Sequence, residues 1–152
     1  MPAGTYTVEI TAVDENGCET VANASADVTE PDAIEISGVV TDVLCNGATT
    51  GAIAITVTGG NGGNTFGWTG TGVTTSTEDQ TGLGAGSYTV TVTDSKGCTA
   101  DMTFEITEPT PLAIQVVSQT DVDCNGASTG GVVVDATGGT SGYTYTLSLI
   151  HI

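Results

Sequence analysis

The chain has 152 residues, with 18 acidic groups against one basic group and a formal net charge of −17. Charge of that sign repels nucleic-acid phosphates and anionic lipid surfaces, and no run of about 18 apolar residues is present to span a bilayer; nucleic-acid binding and helical membrane insertion are therefore excluded. Only 12% of residues are charged, 22 are Gly and about a fifth are Thr. Val, Ile and Tyr recur in alternation, unlike a disordered composition. Thr and Val favour pleated, half-buried strands, and the composition predicts an all-β protein with almost no helix.

From the N-terminus, "AGTYTVEITAVDENGCE" (Ala3–Glu19) returns as "AGSYTVTVTDSKGCT" (Ala85–Thr99), 82 positions later. "VTEPDAIEIS" (Val28–Ser37) returns as "ITEPTPLAIQV" (Ile106–Val116), and "TDVLCNGATTGAIAITVTGG" (Thr41–Gly60) as "TDVDCNGASTGGVVVDATGG" (Thr120–Gly139), now 79 apart. This spacing is too long for helical-pair or leucine-rich repeats and fits one small all-β domain. The predicted organisation is the C-terminal part of a module over 1–31, a complete module over 32–109, and the N-terminal part of a third over 110–152. Both ends read as interior to a larger protein. Residues 147–152 lose the Gly/Thr style and read as foreign sequence, so His151, the only histidine, is given no weight.

Within the complete module, Ile34–Val43 reads as a strand interrupted at Gly38. Ile53, Ile55 and Val57 alternate along the next strand, and Phe66 and Trp68 along the third. Val73–Asp79 reads as a polar edge strand. Tyr88, Val90 and Val92 then face one way, and Met102, Phe104 and Ile106 close the module. Asp94-Ser95-Lys96-Gly97, with its counterpart Asp14–Gly17, suits a type I turn with a Gly bulge. Short strands with turn signals every 8–12 residues predict tandem immunoglobulin-like β-sandwich modules of about 80 residues. Tyr88 stands where a tyrosine corner would, and Trp68 where such folds bury a central aromatic.

"CNGATTGAIAITVTGG", "GLGAGSYTVTVTDSKGC" and the closing "TEP" resemble SprB-type repeats, found in long surface proteins of gliding and particle-binding Bacteroidetes and exported by the type IX secretion system. The resemblance implies a segment of a cell-surface adhesin or filament, outside the cell, and carries no catalytic residues. "GGNGGNTFGW" departs from the aromatic run usual in the family, which Tyr143-Thr144-Tyr145 matches better.

Export would make the cysteines candidates for disulfides. There are two per module: Cys45 and Cys124 in "CNG", Cys18 and Cys98 after the hairpin turn. Zinc is not expected without Cys-x-x-Cys or a dependable histidine. A bridge within the module (Cys45–Cys98), a bridge from Cys45 to the next module's hairpin cysteine, and free thiols all remain open at this level. Pro31 and Pro109, each after a Glu, stiffen the links between modules. The hairpin turn should fold back near such a link, bringing Asp94 towards Glu30 and Asp32, a set of oxygens that calcium could use.

No pair of groups suits acid–base or nucleophilic catalysis: Glu78 and Asp79 are neighbours and Lys96 belongs to a turn. "GTGV" (Gly70–Val73) lacks the third Gly and the helix of a dinucleotide fingerprint, and "TGGNGGN" (Thr58–Asn64) is a single turn rather than a calcium-binding array. The expected role is a non-catalytic, extended acidic stalk. Its expected partners are neighbouring repeats of the same chain, with surface polysaccharide or substratum beyond them. A carbohydrate-binding module and an accessory arm of a large secreted hydrolase are the alternatives.

Overall fold

The computed structural model describes residues 1–148; residues 149–152, and with them His151 and most of the foreign-looking tail, lie outside the described residues. The described residues contain ten strands and no helix: β1 (Gly4–Val13), β2 (Glu19–Val28), β3 (Glu35–Thr41), β4 (Gly51–Thr58), β5 (Thr65–Thr69), β6 (Gln80–Leu83), β7 (Gly86–Thr93), β8 (Thr99–Ile106), β9 (Ala113–Thr120) and β10 (Gly131–Thr137). All pairings are antiparallel. β1 and β2 form one two-stranded sheet and β9 and β10 another. Between them lie two three-stranded sheets, ordered β3-β4-β6 and β5-β7-β8.

The alternation read from the sequence sets the inward faces. Ile53 and Ile55 of β4, Leu83 of β6, Trp68 of β5, Tyr88, Val90 and Val92 of β7, and Phe104 and Ile106 of β8 join Val43 in a single core drawn from both three-stranded sheets. Burial of each large aliphatic side chain contributes about 1.5–3 kcal/mol. The Thr residues between them on β7 lie nearer solvent. Close approach of the sheets depends on two glycines. A Cβ at Gly38 would sit 2.8 Å from Phe104 Cε1, and one at Gly51 would sit 3.0 Å from Ile106 Cγ2. Gly38 thus lies within an unbroken β3, not at an interruption, and its missing side chain is the space the Phe104 ring fills.

A second expectation needs correction. Residues 73–79 are not an edge strand; the strand on that side is β6, which starts at Gln80. The reason is the Gln80 side chain, only 3% exposed. Its Oε1 accepts from the Thr74 amide (2.8 Å), and its Nε2 donates to the Thr74 carbonyl (2.8 Å) and Thr77 Oγ1 (2.7 Å). The preceding residues curl around this amide. Asp79 Oδ1 accepts from the Ile55 amide at 3.0 Å, holding the loop against β4. Buried polar groups need partners, and here the partners are the loop itself.

The flanking hairpins repeat parts of this pattern. The turns Asp14–Gly17 and Asp94–Gly97 share the same bonds: the Asp amide donates to the Cys carbonyl (3.0 and 2.9 Å), and the Gly amide donates to the Asp carbonyl (3.0 and 3.1 Å). Gly17 and Gly97 have φ of 81° and 86°, the left-handed conformation the bulge requires. β9 carries one residue more than β3, absorbed by a register shift between Val133 and Val134. This β-bulge raises the spacing between the copies by one residue, whereas β1 and β2, each two residues longer than β7 and β8, lower it by four, which takes it from 82 to 79.

Candidate functional site at the Glu-Pro junction

At one end of the middle unit, β8 runs out into Glu108-Pro109. The Glu108 carboxylate accepts from Asn46 Nδ2 (2.9 Å) through Oε1 and from the Gly47 amide (2.6 Å) through Oε2. The Cys45–Ala48 turn presents both donors: the Ala48 amide donates to the Cys45 carbonyl, and Gly47 has φ of 73°. A side chain with a Cβ would be strained there, and Asn supplies the second donor, so Asn-Gly after the cysteine answers the carboxylate of Glu-Pro. Two further bonds close this end: Val43 N donates to the Thr107 carbonyl (2.9 Å), and Thr107 N donates to Asp42 Oδ1 (2.7 Å).

The same loop meets the next repeat. Thr140 Oγ1 donates to the Leu44 carbonyl at 3.0 Å, and an open cleft between them is lined by Leu44, Cys45, Pro111, Leu112, Thr140 and Tyr143. Its contacts are apolar and carbonyl in character, without a nucleophile–base pair.

Asp94 occupies the opposite end of the unit. Its side chain lies in a residue only 5% exposed. Oδ2 accepts from Asn61 Nδ2 (2.8 Å) and the Asn61 amide (2.9 Å), while Oδ1 accepts from the amides of Lys96 (2.8 Å) and Cys98 (2.9 Å). The Asn61 side-chain amide is the main reason its carboxyl is held well below the usual carboxylate range; burial opposes this, and the backbone amides of Asn61, Cys98 and Lys96 add to it. A depressed folded-state value makes the contribution of Asp94 to stability complete above its unfolded value of about 3.9. That contribution is lost as pH falls from there towards the folded value. The expected result is that Asp94→Asn lowers the melting temperature at neutral pH and loses most of its effect in strong acid. Melting curves for both proteins across that range check it; a constant difference would count against the carboxylate's role.

The sequence-predicted residues are distributed as follows. The Asp32 carbonyl accepts from Gly60 N at 2.8 Å, and a Cβ on Gly60 would lie 3.3 Å from Asp94 Oδ2. Asp32 and the Asp94 turn therefore flank the same loop. The Asp94 oxygens are nevertheless taken up by four N–H donors, and among the described residues no three His, Cys, Asp or Glu side chains gather as a metal site. Glu30 is the counterpart of Glu108, whose partners are a backbone amide and an asparagine. Pro31 and Pro109 sit in the segments between strands.

Cys18, Cys45, Cys98 and Cys124 are all unpaired and exposed. Cys98 immediately precedes β8, whereas Cys45 belongs to the loop held by Glu108 beyond the end of β8. An eight-residue strand separates them, about 25 Å at strand rise and far outside the reach of a disulfide. A Cys45–Cys98 bridge within one unit is thus excluded by this geometry. Trp68 is buried, its Nε1 donating to the Thr77 carbonyl at 2.9 Å. The Tyr88 hydroxyl donates to the Gly84 carbonyl at 3.0 Å, and Tyr6 does the same to Pro2 at 2.7 Å. The Glu108 clasp and the Gln80 hub were missed from sequence. The pairing of "CNG" with "TEP" in both copies was the available signal for the first.

Repeated antiparallel hairpins joined by interlocked loops define an all-β repeat architecture. The family model of the SprB repeat, a structural repeat family typical of cell-surface proteins, matches residues 37–73 and again residues 116–149. No curated protein matches the chain, and no solved structure does.

Proposed function

We propose that the chain is a non-catalytic segment of a long cell-surface adhesin or filament, built from modules bounded near residues 32 and 109 and acting as an extended acidic stalk. The observation that carries this reading is the Glu108 clasp, in which the residue before the linking proline is fastened to the loop of its own unit while Thr140 of the following repeat bonds to the same loop. A link restrained on both sides, with Pro109 and Pro111 fixing its backbone, suits a rod rather than a floppy tether. The strand order supports an immunoglobulin-like sandwich: first, second and fourth strands in one sheet, third, fifth and sixth in the other. Trp68, Tyr88 and Phe104 are buried, which favours a stalk over a carbohydrate platform in the middle unit.

In this reading neighbouring repeats are the principal partners, and polysaccharide or substratum is met by the array as a whole through many weak contacts. This reading includes export through the type IX pathway and a part in gliding or particle binding, and the SprB-repeat match supports it. An antibody raised against the chain should label intact cells of the source organism and lose its target after external protease treatment. Labelling confined to permeabilised cells would overturn the assignment.

A further inference from the structure

We propose that Asn46-Gly47 is a deamidation site held dormant by Glu108, and that its reaction opens the clasp irreversibly. Asn-Gly is open to this chemistry because no side chain on the glycine shields its amide nitrogen from the neighbouring carboxamide. The turn cannot avoid the pair. Gly47 has φ of 73°, and position 46 supplies the side-chain donor for Glu108, so the residues that build the clasp are also the labile ones. Asn46, Gly47 and Glu108 are all exposed, and water reaches them.

The reaction consumes only water. The Gly47 nitrogen loses its proton to solvent and attacks Asn46 Cγ. As this N–Cγ bond closes a succinimide ring, the Cγ–Nδ2 bond breaks, and Nδ2 takes a proton from solvent and leaves as ammonia. Water then opens the ring at either carbonyl, giving aspartate or isoaspartate. Glu108 opposes the first step at both ends. Its Oε2 lies 2.6 Å from the Gly47 nitrogen and its Oε1 2.9 Å from Asn46 Nδ2. Loss of the Gly47 proton would set a second negative charge beside the carboxylate. The Asn46 carboxamide must also give up a charge-assisted bond to turn its carbon onto that nitrogen. The bonds of Thr107 to Val43 and Asp42 keep Glu108 in place.

The product cannot rejoin the clasp. A carboxylate now stands where the donor stood, facing Glu108, and adds one negative charge to a chain already at −17. The freed loop is the one whose Leu44 carbonyl accepts from Thr140 of the following repeat at 3.0 Å, so the link loosens on both sides. This chemistry is intrinsic to the chain and does not depend on its being a surface stalk. Asn16-Gly17, whose glycine amide donates to the Asp14 carbonyl, does not involve Glu108 and serves as a reference site in the same molecule.

Ageing of the 152-residue chain in neutral buffer at physiological temperature, with aspartate and isoaspartate resolved by peptide mapping, tests this. Glu108→Ala, which removes both acceptors, should speed the reaction at Asn46 by about tenfold or more, the ratio that hydrogen bonds to a charged group support. Glu108→Gln, which removes only the charge, should speed it less, and the rate at Asn16 should stay the same in all three proteins. Fluorescence of the buried Trp68 shows that the middle unit remains folded. In denaturant the three proteins should lose the Asn46 amide at one rate, because the clasp is gone. Asn46→Asp should lower the melting temperature, and adding Glu108→Gln should recover most of the loss by restoring a donor–acceptor pair. Equal rates at Asn46 in the folded wild type and both folded variants would overturn the proposal. So would a faster rate in the wild type, which would make Glu108 a base for the reaction, or an Asn46→Asp chain that melts with the wild type.

Discussion

Replacing Trp68 with Ala is expected to destabilise the middle unit by about 3–5 kcal/mol, the cost of a large aromatic removed from a packed interior. Trp68 is 2% exposed and its ring centroid lies 6.1 Å from that of Phe104. The truncation removes those contacts and also deprives the Thr77 carbonyl of the indole N–H at 2.9 Å. For a domain of this size the melting temperature should fall by more than about 10 °C, read by circular dichroism because the only tryptophan has gone. Trp68→Phe, which keeps a ring but not the donor, should cost appreciably less. A shift of only a degree or two for Trp68→Ala would mean that this ring faces solvent, as a ligand platform would.

Gly38→Val should cost about 1–3 kcal/mol through overpacking, since the new Cβ would lie 2.8 and 2.9 Å from two atoms of the Phe104 ring and 3.0 Å from the Ala54 carbonyl. Phe104→Ala alone should cost about 3–5 kcal/mol by leaving a cavity. The informative protein is the double variant, which installs the Val and Ala found at the corresponding positions of the flanking hairpins. It should be more stable than the sum of the single effects predicts, by a coupling in the range of about 0.5–3 kcal/mol measured for residues in contact. Denaturant unfolding of the four proteins gives the cycle directly. Strict additivity would show that the two sheets do not meet at this point.

Much of this molecule is legible without coordinates because its information is local and periodic. Alternation with period two named the buried faces of β4, β7 and β8 before any packing was known, as a strand's geometry guarantees. Asp and Gly at fixed spacing named the hairpin turns, since only Gly takes the left-handed bulge position without strain. Duplication of "CNG" and "TEP" marked the repeat. Residues 73–79 misled because their Thr-rich, polar composition imitates an edge strand, whereas the buried Gln80 amide draws the chain into a loop. No local pattern reports that the Gln80 side chain will be buried.

The cysteines and acidic groups show the same division. Their types and spacing made disulfide and calcium chemistry worth considering, but reach and coordination are three-dimensional properties. β8 holds Cys45 and Cys98 at opposite ends of the unit, and the Asp94 oxygens are met by backbone and asparagine N–H groups. By itself the sequence determined the all-β class, the repeat, the turns and most inward faces, because these follow from side-chain period and backbone preference. Only the tertiary structure decided which glycine makes room for which ring and that Glu108 clasps Asn46 and Gly47 some sixty residues away. Those are contacts between segments distant in the chain, and no window of sequence contains both partners.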